Sequence, residues 1–359
     1  MAVILIVPMK TSFRPAAAIL TVALSCFFLL LNSRAADLYY FLKEIPVKGE
    51  GGWDYLSADS AGRRLYVAHS TKIVVIDMDK DEVAGQITGT PGVHGFAIAP
   101  ELNRGFSSNG REANASIVDL KTLKTIGKVS TGENPDCILY EPGLQEVYAF
   151  NGKSKSVTIF GAASGKVAAT VPLPGKPEFA VADPKAGRVY CNIEDKNEIV
   201  VIDTSSHAIT NTWSIAPGEE ASGLAIDPAH GRLFAGCHNK MMVMLDSATG
   251  KFAGSVPIGT GVDANAFDPG TQFAFSSCGD GTTTIAREDS PEKLSVAQNL
   301  PTHRGARTMA LDLKTHKIYM AAAEYEAQPD PEPGQRAKRP RMIPNTFKIL
   351  VYGMDNAGH

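Results

Sequence analysis

A short apolar run that ends in a turn residue recurs along this chain at a nearly constant interval. Ile73-Val74-Val75-Ile76 closes at Asp77, and the matching positions fall at Asp119, Gly161, Asp203, Asp246 and about Arg287. The successive intervals are 42, 42, 42, 43 and 41 residues. A repeat of that length, with four strands per unit, marks the blades of a propeller. Helical arrays of similar period need apolar residues at i, i+3, i+4 and i+7, and that pattern is nearly missing beyond the N-terminal segment. The spacing predicts an all-β, seven-bladed β-propeller.

The unit at 62–87 shows how a blade is written. Leu65–Ala68 is one β-rich run, His69-Ser70-Thr71-Lys72 reads as a polar turn, Ile73–Ile76 is a second run, and Val83 and Ile87 lie in a third. Blades are expected at about 52–92, 93–135, 136–177, 178–220, 221–262 and 263–306, with the seventh starting at Arg307. Asp183-Pro184 to Gly187-Arg188, Asp227-Pro228 to Gly231-Arg232, and Asp268-Pro269-Gly270 read as turns with no chemistry of their own. The seventh blade is one outer strand short. The lone strand at 38–47 is expected to supply it, which closes the ring and makes 37–354 a single domain.

The units L-Y-V-A…I-V-V-I-D, R-V-Y-C-N…I-V-V-I-D-T and R-L-F-A-G…V-M-L-D-S-A-T-G-K resemble those of the YVTN-repeat β-propellers, the YncE-like exported proteins. The resemblance covers about residues 38–354. It implies a seven-bladed propeller in the periplasm or at the cell surface. It implies no particular reaction, since related propellers include lactonases and lyases.

Export is also expected from the N-terminus. Lys10 and Arg14 precede an apolar run at 16–31, and Ser33-Arg34-Ala35 places small residues at a cleavage site. Residues 1–35 therefore read as a signal peptide, with Met9 a second candidate start and an uncleaved anchor helix the alternative. The mature chain is expected to be periplasmic or secreted, without a transmembrane span, and a monomer. The charge balance, 35 basic against 38 acidic residues, gives no nucleic-acid signal. Cys137, Cys191, Cys237 and Cys278 fall in different blades and are expected mostly as buried free thiols. No C-x-x-C-H is present, so a c-type haem is not expected. G-x-S-x-G, P-loop and H-E-x-x-H motifs are missing too.

Function is expected where the innermost strands begin. By the repeat register, the residues there are Trp53, Asp54, His94, Asp136, Glu178, Glu219 or Glu220, Asp263, Asn265 and Arg307. Loops after the second strands add His69, Asn109, Asn151, His238 and Tyr325. Such a mouth is polar simply because it is wet, or because it is a site. As a site, Trp53, Asp54, Asn109, Asn151, Glu220, Asn265 and Tyr325 are the ligand-binding candidates. His94, Glu178, Asp263 and His238 are the ligand types a divalent metal favours, and His94, Arg307 and His69 are the catalytic candidates. Two functions compete: binding of a small molecule or protein at the mouth, or metal-assisted hydrolysis or elimination of a lactone or phosphoester there. Asp280, in Cys278-Gly279-Asp280-Gly281, reads as a hairpin residue, while His207, His230 and His316 fall in opposite-face turns and read as solvent-exposed. The insertion at 326–343, rich in proline and basic residues, is expected as a mobile loop between the second and third strands of blade 7.

Overall fold

The computed structural model describes residues 1–3, 38–327 and 341–354. The leader expected at 1–35 lies outside them apart from its first three residues, as does most of the 326–343 insertion. The described residues from Leu38 onward form seven antiparallel sheets of four strands each. Their helical content is two 3-10 turns, Pro100–Leu102 and Glu194–Lys196. No helix among them is long and apolar enough to cross a membrane.

The cassette at 62–87 supplies the second to fourth strands of blade 1, Arg64–His69, Lys72–Asp77 and Glu82–Thr88, behind an innermost strand Trp53–Asp59. The turn expected over 69–72 is shorter than that: His69 and Lys72 pair with each other, leaving Ser70-Thr71 as the turn. The third strands end at Asp77, Asp119, Gly161, Asp203 and Asp246, as the repeat demanded. In blade 6 the third strand runs on past Arg287 to Ser290.

The seventh sheet is closed by the N-terminal strand. Tyr40–Pro46 pairs antiparallel with Lys348–Gly353, so blade 7 takes its outer strand from the opposite end of the described ring. No sheet then needs a partner from outside, which removes the open first and last edges of an unclosed ring. The apolar core is divided the same way. Each pair of neighbouring blades encloses one cluster, and Tyr66 with Phe96, Phe106 with Phe160, and Phe234 with Phe267 interleave across three of those seams. Cys137, Cys191, Cys237 and Cys278 are buried and unbridged.

In blades 1 to 5 the residue that opens the second strand ties its blade to the next. Arg64 donates to the Leu120 carbonyl (2.6 Å), Arg104 to that of Ala162 (2.8 Å), Arg188 to that of Ser247 (3.2 Å) and Arg232 to that of Pro291. Glu146 makes the equivalent contact in blade 3 through His207, 2.8 Å away. His207 and His316 are therefore half-buried and paired, the latter 2.6 Å from Asp268, rather than solvent-exposed as expected; His230 is exposed. At the insertion, Tyr325 bridges Met342 and Glu326 N–H donates to the Arg341 carbonyl (2.9 Å), so its two ends are held side by side.

Candidate functional site

In blades 1 to 6, the ladder between the first and second strands slips at its start. The shifts fall between Trp53 and Leu56, Val93 and Phe96, Pro135 and Ile138, Pro177 and Ala180, Ala221 and Gly223, and Val262 and Ala264. A bulge leaves a residue outside the ladder and re-aims its side chain. The residues so released include Asp54, His94, Asp136, Glu178, Ser222 and Asp263. Arg307, just ahead of the Met309–Asp312 strand, completes a ring with one member per blade.

Apart from the buried Ser222, each of these side chains meets a charged partner. His94 Nδ1 lies 2.6 Å from Asp54 Oδ2 and 3.6 Å from Asp136 Oδ1. Arg307 Nε is 3.5 Å from Asp263 Oδ2. Lys176 Nζ holds Glu178 at 2.8 Å and Glu194 at 2.6 Å. The Tyr55 hydroxyl donates to the Glu178 carbonyl (3.2 Å), and its ring stands edge-on to Phe179 with centroids 5.4 Å apart. Tyr55 thus spans the channel from blade 1 to blade 4 and gives the mouth an aromatic floor. The ring and its floor form a cup.

Beside the cup is an open cleft of about 490 Å³, lined by Gly110, Arg111, Glu133, Asn134, Lys153 and Lys176 among others. Gly110 of the cleft lies against His94 of the cup. A Cβ built on Gly110 would lie 2.7 Å from His94 Nε2 and 2.7 Å from Asn134 Oδ1, so glycine lets the 110 backbone rest on the imidazole.

Burial and crowding in the cup shift the titration of His94, Asp136, Glu178 and Asp263. Burial opposes the charge on His94, but its hydrogen bond to Asp54 and the charges of Asp136 and Asp54 outweigh that and raise it to about 9. The ring is therefore an imidazolium at neutral pH. Burial pushes the Asp136 carboxyl up to about 6, with His94 opposing and Asp54 adding to the rise. Glu178 is pushed up to about 7 by burial and then by Asp136, against the pull of Lys176. Asp263 is raised by burial despite Arg307.

Several candidates from the repeat register lie elsewhere. His69 ends a strand, is 1 % exposed and stacks on Phe347 with centroids 4.4 Å apart, so it belongs to the core and not to a channel-facing turn. Asn109 and Asn151 are fully buried; each donates across its own hairpin, to Asn114 and Ser116 and to Ser156 and Thr158. Asn265 is buried between the Phe234 carbonyl (3.2 Å) and the Ser276 hydroxyl (2.8 Å). Trp53 stacks on Phe347 at 5.0 Å, with Tyr325 at 6.4 Å on the rim. Glu220 is exposed with a left-handed φ of 50°, two residues before the ring position that Ser222 takes. His238 is exposed, 3.8 Å from Glu220. Of the four metal-ligand candidates, His94 alone falls in a close set, and its companions are Asp54 and Asp136. Their ligand atoms all lie within 4.8 Å of one another. Glu178, Asp263 and His238 are engaged by Lys176, Arg307 and Glu220. Asp280 caps its own turn, accepting from Thr260 N–H and Thr282.

Tyr55, Phe179 and Asn134 complete the cup and were not marked by the repeat. Tyr55 follows Asp54 in the bulged segment, and that adjacency was the only sign of it.

No family model matches the chain, and no curated protein does. Among solved structures, a chain of Kuenenia stuttgartiensis hydrazine synthase is similar with a TM-score of 0.66 at 15% identity, covering 76% of this chain and 94% of that one. A chain of a mitotic checkpoint complex is similar with a TM-score of 0.71 at 13% identity, covering 90% of this chain and 95% of that one. At such identities the likeness is one of fold alone, and the fold is the β-propeller.

Proposed function

We propose that this protein binds a small organic cation in the cup at its channel mouth. One observation carries the reading: Asp54, Asp136, Glu178 and Asp263, from four blades, face one space. They outnumber His94, Arg307 and Lys176, and Lys176 is shared with Glu194. Asp136 and Glu178 keep protons toward neutral pH because they are buried and the cations beside them do not offset that fully. An ammonium group between them would supply that balance, and the Tyr55 and Phe179 rings below offer it aromatic faces.

The test is calorimetric titration of the protein with alkyl diamines and quaternary ammonium ions. At least one member of the panel is expected to bind, and more tightly as pH rises through about 6 to 7, where Asp136 and Glu178 ionise. Glu178→Gln is expected to weaken binding about tenfold or more, the value of one charge-assisted contact, while His94→Gln leaves it in place. No binding by any cation, or wild-type affinity in Glu178→Gln, would sink the reading.

A second reading rests on Asp54, His94 and Asp136, whose ligand atoms are close enough to share one divalent ion. There the protein would be a metal-assisted hydrolase or lyase, the ion polarising a lactone or phosphoester. It expects His94→Gln to abolish turnover together with the metal uptake that depends on the cup, the opposite of the first reading. On the repeat units and the leader-like segment at 1–35, we further infer that the chain is a YVTN-type propeller working in the periplasm or outside the cell. An exported chain whose intact mass still includes residues 1–35 would contradict the cleaved leader.

A further inference from the structure

The face opposite the cup carries a second convergence, and it arises where the repeat is broken twice at one seam. The innermost strands of blades 1, 4, 5, 6 and 7 end in aspartate, and in blades 6 and 7 its Oδ2 is satisfied by a threonine hydroxyl and a basic side chain. In blade 6, Asp268 Oδ2 accepts from the Thr271 hydroxyl (2.9 Å) and meets His316. In blade 7, Asp312 Oδ2 accepts from the Thr315 hydroxyl (2.6 Å) and pairs with Arg63 (2.7 Å). Blade 5 departs from this. Three residues after Asp227 stands His230 instead of threonine, with Nδ1 2.7 Å from Asp227 Oδ2.

The second departure comes from blade 6. In each of blades 1 to 6, the residue just past the third-strand turn position donates its N–H to the carbonyl ahead of the second strand. Met78, Leu120, Ala162, Thr204 and Ser247 do so, and all are buried. The equivalent residue in blade 6 is Glu288, which donates to the Gln272 carbonyl (3.0 Å). A carboxylate stands where the other blades keep an apolar or small side chain. It points across the seam at Asp227 and His230, with Oε1 3.4 Å from His230 Nδ1. The side chains of Asp227 and Glu288 are both 0% exposed, and neither oxygen of Glu288 accepts a hydrogen bond. His230 is 43% exposed and forms the way in from solvent.

We propose that Asp227, His230 and Glu288 hold a divalent first-row cation between blades 5 and 6, on the face away from the cup. The ligand atoms of the three residues lie within 4.8 Å of one another. One imidazole and two carboxylates suit Zn²⁺ or Mn²⁺, and the two negative charges balance such an ion where a single imidazolium does not. Asp227 Oδ1 is already fixed by the Ala229 N–H (2.9 Å), so its second oxygen is presented without rearrangement. Blade 5 is thereby clamped to blade 6 a second time, in addition to the tie that Arg232 makes to the Pro291 carbonyl.

The test is titration of the chelator-stripped full-length protein with Zn²⁺ and, separately, Mn²⁺. One equivalent is expected to bind in the wild type and in His94→Gln, which disables the cup's own candidate set. That equivalent is expected to weaken at least about tenfold in Glu288→Gln and in His230→Ala. Glu288→Gln keeps the side-chain shape and removes a buried charge, and His230 is exposed, so both are expected to fold; a circular-dichroism melt checks this. If Glu288→Gln does not fold, His230→Ala decides alone. Failure of the wild type to bind either ion, or undiminished binding of this equivalent by either folded variant, overturns the proposal.

Discussion

His94 and its neighbours show what a few ångströms do to a titration curve. His94, Asp136, Glu178 and Glu288 all bind their protons more tightly in the folded chain than the ordinary groups do, to about 9, 6, 7 and 7 respectively. For Glu288, burial is again the first cause and Asp227 the second. A group whose proton is held more tightly after folding stabilises the fold fully below its unfolded value, and that contribution is lost as pH rises through the folded one. For the three carboxyls the window opens near the ordinary values of 3.8 and 4.5 and closes at about 6 to 7. For His94 it runs from 6.5 to about 9. Opposing them at the acid end are turn aspartates such as Asp203, held down to about 2 by the Ser205 hydroxyl and the Ser206 N–H. The melting temperature is therefore expected to peak near pH 4 to 5 and to fall steadily toward pH 9. Glu178→Gln, which cannot ionise, is expected to flatten the decline between pH 5 and 8. A melting temperature that rises from pH 5 to 8 in the wild type would contradict these shifts. None of this was legible residue by residue, since Asp54, His94 and Asp136 are about 40 positions apart in the sequence and meet only because adjacent blades start together.

At the scale of the element, the blade is a template whose backbone is stricter than its sequence. The residue just before the second strand is left-handed in all seven blades: Arg63, Asn103, Gln145, Gly187, Gly231, Gln272 and His316, with φ between 52° and 65°. Glycine fills two of these positions, and the other residues carry the strain of a Cβ in that region. Gln145 is exposed, and its backbone carbonyl makes the contact that matters, to Ala162 N–H. Gln145→Gly is expected to stabilise the protein by a few tenths to about 1 kcal/mol, the relief of strain exceeding the added freedom of the unfolded chain. The reading is a denaturant midpoint that shifts upward with unchanged slope; an unchanged or lowered midpoint would refute it. The same strictness explains what the repeat did and did not disclose. Apolar runs and turn aspartates recur because each faces a seam or caps a turn. The bulge at the start of the innermost strand leaves no residue signature, because it is a slip between two strands and not a preference of either.

The whole molecule is held by closure. Tyr40–Pro46 completes blade 7, and Tyr39 beside it is buried edge-on to Phe275 at 5.3 Å, its hydroxyl donating to the His316 carbonyl (2.8 Å). Arg63 adds a tie from blade 1 to the buried Asp312 of blade 7. Removing residues 39–46 would bare the Lys348–Gly353 edge and open the seam between blades 6 and 7. That deletion is expected to give an insoluble chain or one that melts without cooperativity. A soluble variant with a cooperative, wild-type transition would show that the ring does not depend on this strand.

Period, strand count and the missing outer strand of blade 7 could all be read from the chain, because they follow from local alternation and from counting. The general region of the cup could be read too, since the register of the repeat says which residue opens each innermost strand. The composition of the site could not. Whether His69, Asn109 and Asn151 face the channel or the interior depends on where a two-residue turn begins, and one residue of slip reverses the face of a strand. The grouping of His94 with Asp54 and Asp136, and of Glu288 with Asp227 and His230, depends on which blades are neighbours and how their bulges aim. Those facts belong to the closed ring and to no stretch of sequence within it.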